Sequence, residues 1–234
     1  LSLRYRLTCC GVHQWKNNLE FTISRQRFAV FRINNISISC KVSCPRMGIK
    51  ITKQGKLIVA ALAVFYVLLR FWRLTDSCLW FDEIFSVHAA EHLWSEIIPF
   101  IAKDLIHPPL FYLLLKVLIL VGGDGLFWLR LLPVIFSILA LFPLWMLCRE
   151  LKLRPSAVVV SFGLFAVNGA LIKYAQEVRM YSLLLFVSLT SIWLFSRYYF
   201  RGKSFWMLVV VNILLVHTHY FGWFVVGSEI FLIL

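Results

Sequence analysis

The chain has 234 residues, is 61% hydrophobic and 15% charged, and carries a formal charge of +13. Soluble domains sit near about 45–50% apolar and about 25% charged, so the composition excludes an ordinary soluble domain and indicates an all-α polytopic membrane protein. In a soluble protein the positive charge would suggest a nucleic-acid partner; here Lys and Arg gather in short segments between apolar runs, as the positive-inside bias requires, and no nucleic acid is expected.

Residues 1–46 carry Arg4, Arg6, Lys16, Arg25, Arg27, Arg32, Lys41 and Arg46 against one acid, Glu20. They show no sustained periodicity and no run of spanning length. Met47 and the following "GIKITKQGK" resemble a cytoplasmic start before a first span. The expectation is a basic, disordered or non-native extension over 1–46, with a membrane-surface arm or a transit peptide as rivals, and a transmembrane domain over 47–234. Asn35-Ile36-Ser37 is a glycosylation sequon, a weak signal taken alone. The six cysteines are scattered, with neither a disulfide framework nor zinc spacing.

A first span is predicted over 56–72, with Lys50, Lys53 and Lys56 placing its N-terminal end in the cytoplasm. Further spans are predicted over 126–148, 155–172, 180–196 and 205–223. A sixth begins near Val225, and because it stops short of spanning length the chain reads as an N-terminal fragment of a longer protein. The 14 residues "PPLFYLLLKVLILV" at 108–121 are short for a span. Reading them as an embedded or re-entrant helix keeps all three basic loops inside. Residues 73–125 then form one large non-cytoplasmic loop. Within it Ala90, Leu93, Trp94, Ile97, Ile98 and Ile101 recur at helical spacing, predicting an interfacial amphipathic helix that Pro99 kinks or breaks.

On this topology the non-cytoplasmic side collects Asp82 and Glu83, Asp104 and His107, Lys173, Gln176, Glu177 and Arg179, and His217, His219 and Tyr220. The cytoplasmic side collects almost only Lys and Arg. Ionisable residues at membrane depth are costly and commonly functional. Each has an ordinary alternative. Asp82–Glu83 could be a solvated loop pair, His107-Pro108-Pro109 a helix start, and Glu177–Arg179 a structural ion pair. His217 and His219, two residues apart, do not share a helical face. Lys116 is expected to snorkel, and Arg130 to serve as an interhelical partner. A carboxylate at an interface can act as general base toward a hydroxyl, and a nearby Arg can bind a phosphate. Together with a lipid groove, these groups fit transfer from a lipid phosphate to an acceptor.

The ordered set "WFDEIFS", "DLIHPPLFYLLLK", "LRLLPVIFSILALFPLWMLCREL" and "YAQEVRMYSLLLF" resembles the polytopic GT-C glycosyltransferases, and among them the protein O-mannosyltransferase and dolichyl-phosphate-mannose–protein mannosyltransferase-like enzymes. The resemblance covers about 56–223. It implies a GT-C-like helix bundle whose large first external loop holds juxtamembrane helices. It also implies an inverting transferase that moves a sugar from a polyprenyl- or dolichyl-phosphate donor to a hydroxyl of an acceptor protein or glycolipid. Asp82 then takes the catalytic position with Glu83 beside it. Asp104 and His107 line the loop, and Gln176, Glu177 and Arg179 meet the lipid phosphate. His219 and Tyr220 are further substrate-binding candidates, and Asp82, Glu83 and His107 are the candidates for a divalent metal. Members run to about twice this length, and the chain lacks the Gly-Lys that follows His-Pro-Pro-Leu in eukaryotic protein mannosyltransferases. A bacterial inner membrane is favoured over the endoplasmic reticulum. The competing functions are a polyprenyl-linked sugar transporter or flippase and an inactive membrane fragment.

Overall fold

The computed structural model describes Glu20–Ile23, Phe28–Ile33, Ile36–Lys41 and residues 52–104 and 107–234, with the backbone alone described in the first three segments and at Asp104. The chain divides into two units, Leu1–Met47 and Gly48–Leu234. The expected start at Met47 and the Asp104 side chain lie outside the described residues.

In the first unit, β1 (Glu20–Ile23), β2 (Phe28–Ile33) and β3 (Ile36–Lys41) form an antiparallel sheet in the order β1-β2-β3. Phe21 pairs with Phe31 and Val30 with Ser39. No strand is predicted here from the sequence. The strands have four to six residues, too short for a long periodicity window, although "ISISCK" alternates with the period of a strand.

The second unit is all-helical among its described residues. Its helices are α1 (Lys53–Phe71), α2 (Phe81–Glu91), α3 (Trp94–Asp104), α4 (Leu110–Gly122), α5 (Leu126–Leu139), α6 (Leu141–Glu150), α7 (Pro155–Val167), α8 (Gly169–Gln176), α9 (Tyr181–Arg201), α10 (Phe205–Val216) and α11 (Gly222–Ile233). Among the described residues, three helices are long and apolar enough to cross a bilayer: Lys53–Phe71, Leu126–Glu150 and Tyr181–Arg201. Counting α7 and α8, which meet at a 52° bend, as one broken span makes four. These helices are those of a helical membrane protein.

Local chemistry explains the breaks. Asn168 ends α7 and caps α8, its Oδ1 accepting from the Leu171 N–H at 3.1 Å. The Arg70 guanidinium of α1 donates to Phe165 O and Ala166 O, at the exposed end of the α7 carbonyl ladder. The predicted span 205–223 is instead the short helix α10, which ends at Val216, followed by a turn into α11 at Gly222. Between them, His217 Nδ1 lies 2.8 Å from Ile213 O, and Thr218 Oγ1 donates to Leu214 O. Such local side-chain bonds compete with the helical ladder. A Cβ on Gly222 would lie 2.7 Å from Leu215 O, so only glycine allows this tight approach. Likewise a Cβ on Gly122 would meet the Trp128 ring at 2.1 Å, where α4 turns into α5.

The expected amphipathic helix over 90–101 is split. α2 ends at Glu91 and α3 starts at Trp94, with Pro99 inside α3. Ala90, Ile97 and Ile101 are buried, whereas Leu93, Trp94 and Ile98 are exposed, so the apolar periodicity serves two faces. Nor does Lys116 snorkel. It is buried, donates to Ala90 O and His92 O at the C-terminal end of α2, and lies 5.2 Å from the Trp94 ring centre. The negative end of a helix dipole is a favourable place for that cation.

α9 is the hub of the unit, packing on α5, α6, α8, α10 and α11. Its buried face includes Ser182, Ser191 and Ser196 beside Leu183, Val187 and Leu194. Small residues let helix backbones approach closely in a setting where lipid removes the hydrophobic drive. Exposed Leu57, Val64, Leu68, Val210, Phe224 and Phe231 give the outer surface the apolar character of a lipid-facing one.

Candidate functional site

Asp82 and Glu83 sit in the first turn of α2, where a carboxylate is favoured by the helix dipole. Adjacent on a helix, they cannot face the same way. Glu83 is 1% exposed, whereas the Asp82 side chain is 38% exposed. The sequence feature that looked like one pair is two separate groups.

The Glu83 carboxylate is fully engaged. Its Oε1 accepts from the Val178 N–H at 2.8 Å, and its Oε2 accepts from the Trp80 N–H at 3.2 Å and from Arg130 Nη2 at 3.3 Å. Arg130 also donates to Leu74 O, Ser77 Oγ and Cys78 O. The pair therefore ties the start of α2, the 74–80 turn, α5 and the 177–180 segment together. Arg130 is the interhelical partner that the sequence suggested.

Asp82 faces a different cation. Arg179, itself 3% exposed, places Nη2 3.7 Å from Asp82 Oδ2 and 3.1 Å from His107 Nε2, and donates from Nη1 to Asp82 O at 3.2 Å. Because a guanidinium only donates, His107 Nε2 must accept, which puts the His107 ring proton on Nδ1. The Leu110 N–H donates to His217 O at 3.2 Å, joining the 107–110 turn to the 217–221 turn. The His107 and His219 rings then lie 6.4 Å apart. His219 Nδ1 accepts from the Phe221 N–H at 3.1 Å, so a neutral His219 carries its proton on Nε2. Burial, and then the neighbouring His107 and Arg179, push His219 below the ordinary histidine range.

Four sequence segments thus meet: Asp82, His107, Arg179 and His219. The remaining candidates divide. Gln176 Nε2 donates to Leu69 O, Arg70 O and Trp72 O, closing the C-terminal end of α1. Glu177 pairs with Lys173 at 3.6 Å, and burial pushes its carboxyl above the usual range. Tyr220 follows His219 on the same turn and is half exposed.

A cavity of about 380 Å³ opens beside Glu83 and is also lined by Arg73, Trp80, Arg130, Lys173, Gln176 and Glu177. Asp82 and Arg179 are not among its lining residues. Arg73 adopts φ 57°, a left-handed conformation uncommon for a residue with a side chain, in the turn that follows α1. The Arg73 and Lys173 side chains are 70% and 69% exposed, so this cavity presents cationic groups at its mouth.

The candidate metal ligands do not fit a divalent ion. Glu83 is bound to Arg130 and two backbone N–H groups, and Asp82 and His107 both face the Arg179 guanidinium. Among the described residues, no group of three His, Cys, Asp or Glu side chains could hold a metal ion.

Two residues were missed in the sequence. Tyr181 stands 5.9 Å from the Arg179 guanidinium and 6.0 Å from the His219 ring. Its only sequence signal was its place in "RMYSLLLF". Arg73 carried none beyond its charge.

No family model, no curated protein and no solved structure matches this chain.

Proposed function

We propose that the chain is a polytopic GT-C-type glycosyltransferase that uses a polyprenyl-phosphate sugar. The carrying observation is the half-exposed Asp82 carboxylate, held 3.7 Å from the buried Arg179 and joined through it to His107. In this reading Asp82 accepts the proton of the acceptor hydroxyl. The hydroxyl oxygen forms the new bond to the anomeric carbon from the face opposite the leaving group. The bond from that carbon to the phosphate oxygen breaks, and the lipid phosphate leaves with the electron pair. Inversion at the sugar follows.

Arg179 orients Asp82 in this scheme through its side chain and its backbone carbonyl. Arg73, paired with Asp76, and Lys173, paired with Glu177, stand exposed at the cavity mouth, where a phosphate would exchange with those carboxylates. Trp80 and Phe81, both exposed, supply an apolar edge next to the base. Glu83 holds the start of α2 in place and takes no proton.

The test is transfer from a panel of polyprenyl-phosphate sugars by the full-length protein in membranes. Asp82→Asn should abolish transfer while the protein inserts and melts as the wild type does. Undiminished transfer by that folded variant refutes the reading.

One observation favours transport of a polyprenyl-linked sugar as a second reading. The 52° bend between α7 and α8 is a discontinuity of the kind common in transporter helices. Movement of intact labelled donor across a sealed vesicle, unaffected by Asp82→Asn, would support it over the enzyme.

A further inference from the structure

The helices α10 and α11 both pack on α9, and the three helices enclose a carboxylic side chain. Glu229 of α11 is 5% exposed. Its two oxygens contact Ser191 of α9 and Asn212 of α10. Ser191 Oγ lies 2.7 Å from Glu229 Oε1 and 2.5 Å from Asn212 Oδ1, and Asn212 Nδ2 lies 2.7 Å from Glu229 Oε2. The three groups form a closed ring with three contacts, each at hydrogen-bond length.

A count of protons decides the state of this ring. Each contact needs one hydrogen between its two heavy atoms. The Ser191 hydroxyl has one to give. The Asn212 amide supplies one more, to the single partner that its NH₂ faces. If Glu229 were ionised, the third contact would set two lone pairs against each other at 2.5–2.7 Å. Exchanging the amide nitrogen and oxygen moves the missing hydrogen to the Asn212–Glu229 contact and does not supply it. In either orientation the third hydrogen must come from the carboxyl group.

We propose that Glu229, with Ser191 and Asn212, is a proton-binding site whose bound proton closes the ring and pins α10 and α11 to α9. With the proton on Oε1, Glu229 donates to Ser191, Ser191 donates to Asn212 Oδ1, and Asn212 donates to Glu229 Oε2. Every contact is satisfied and no net charge is buried. The ligand is a proton and not a metal ion. Calcium and magnesium hold oxygens at about 2.0–2.6 Å from the ion, which spreads the oxygens wider than they stand here.

Among the described residues, the helices packed around Glu229 offer no charge that pairs with it. α10 carries no ionisable residue, and Glu229 is the sole one on α11. On α9, the ionisable residues nearest Ser191 in sequence are Arg197 and Tyr198 on one side and Tyr181 on the other; the Arg197 guanidinium lies against the Trp193 ring, 5.4 Å from its centre. The side chains that face the carboxyl are Ser191 and Asn212. An ionised carboxylate on an apolar helix would be costly, and the ring removes that cost by keeping the group neutral.

Infrared spectroscopy of the full chain in lipid nanodiscs tests this. At neutral pH the wild type should show the carbonyl stretch of a protonated carboxylic acid, shifted by deuterium exchange and lost in Glu229→Gln. Because glutamine supplies a hydrogen and an acceptor in the same places, that variant should fold and melt close to the wild type. Ser191→Ala opens the ring and should shift the same band and lower the melting temperature. Raising the pH should destabilise the wild type more than Glu229→Gln. A wild-type spectrum without the band at neutral pH overturns the proposal. So does a band that persists in Glu229→Gln or, should that variant fail to fold, one that Ser191→Ala does not move.

Discussion

The Glu83 carboxylate lies 3.3 Å from the Arg130 guanidinium, and their side chains are 1% and 4% exposed. Removing one partner of such a pair leaves a buried charge without compensation, which costs about 3–5 kcal/mol. Arg130→Met should therefore lower thermal stability severely in detergent, and Glu83→Gln should do so less, since the amide can still accept from Val178. The double variant Glu83→Gln/Arg130→Met should regain part of the loss. Equal, additive losses in a double-mutant cycle would show that the two residues act independently.

Arg179 donates from Nη1 to Asp82 O and places Nη2 beside both Asp82 Oδ2 and His107 Nε2. A lysine has one nitrogen and cannot make the same fork. Arg179→Lys is expected to keep membrane insertion and to reduce transfer by about 10²-fold, the lower end of a general-base contribution, because Asp82 loses its orientation. Transfer rates measured beside melting curves separate this from misfolding. Wild-type rates in a folded Arg179→Lys protein would remove Arg179 from the mechanism.

His219 lies below the ordinary histidine range in the folded chain, chiefly through burial. The native state thus favours the neutral ring, and the unfolded chain binds more protons. The His219 contribution to stability is complete above the ordinary value of about 6.5 and is lost as pH falls through it. Glu177 has the opposite sign. Burial raises its carboxyl, so its contribution is present below the ordinary carboxyl range and declines as pH rises through and above it. Comparing melting at about pH 7.5 and about pH 5.5, His219→Gln should narrow the difference seen in the wild type. An unchanged difference would show that another group sets it.

Gln176 closes the last turn of α1 by donating to three carbonyls. Gln176→Leu leaves those acceptors without that donor, at a cost of about 1–3 kcal/mol. The expected result is a lower melting temperature with faster hydrogen exchange near Trp72. Protection equal to wild type there would argue against the capping role.

How much of this was legible beforehand depends on the range of each interaction. Local patterns were sufficient for α1, α9 and the long Leu126–Glu150 helix, because twenty or so apolar residues need no partner to declare a helix. They failed over 205–223, where the hydropathy is continuous. The break there is made by side chains bonding back to Ile213 and Leu214 and by the approach of Gly222 to Leu215. They also failed over 90–101, where one apolar spacing serves two helices with different neighbours.

For the candidate site, sequence named Asp82, His107, Arg179 and His219 among eleven candidates from four segments, and the tertiary contacts are what single out these four. Composition could reach the list of candidates because ionisable groups in an apolar chain are few. What each group does was decided by tertiary structure. The adjacent acids of "WFDEIFS" look equivalent in one dimension, yet Arg130 lies 47 residues from Glu83 and Arg179 lies 97 residues from Asp82. Only folding assigns one carboxylate to the buried frame and leaves the other half open. The neutral ring around Glu229 belongs to the same category, since its missing hydrogen becomes countable only when three helices set Ser191, Asn212 and Glu229 within bonding distance.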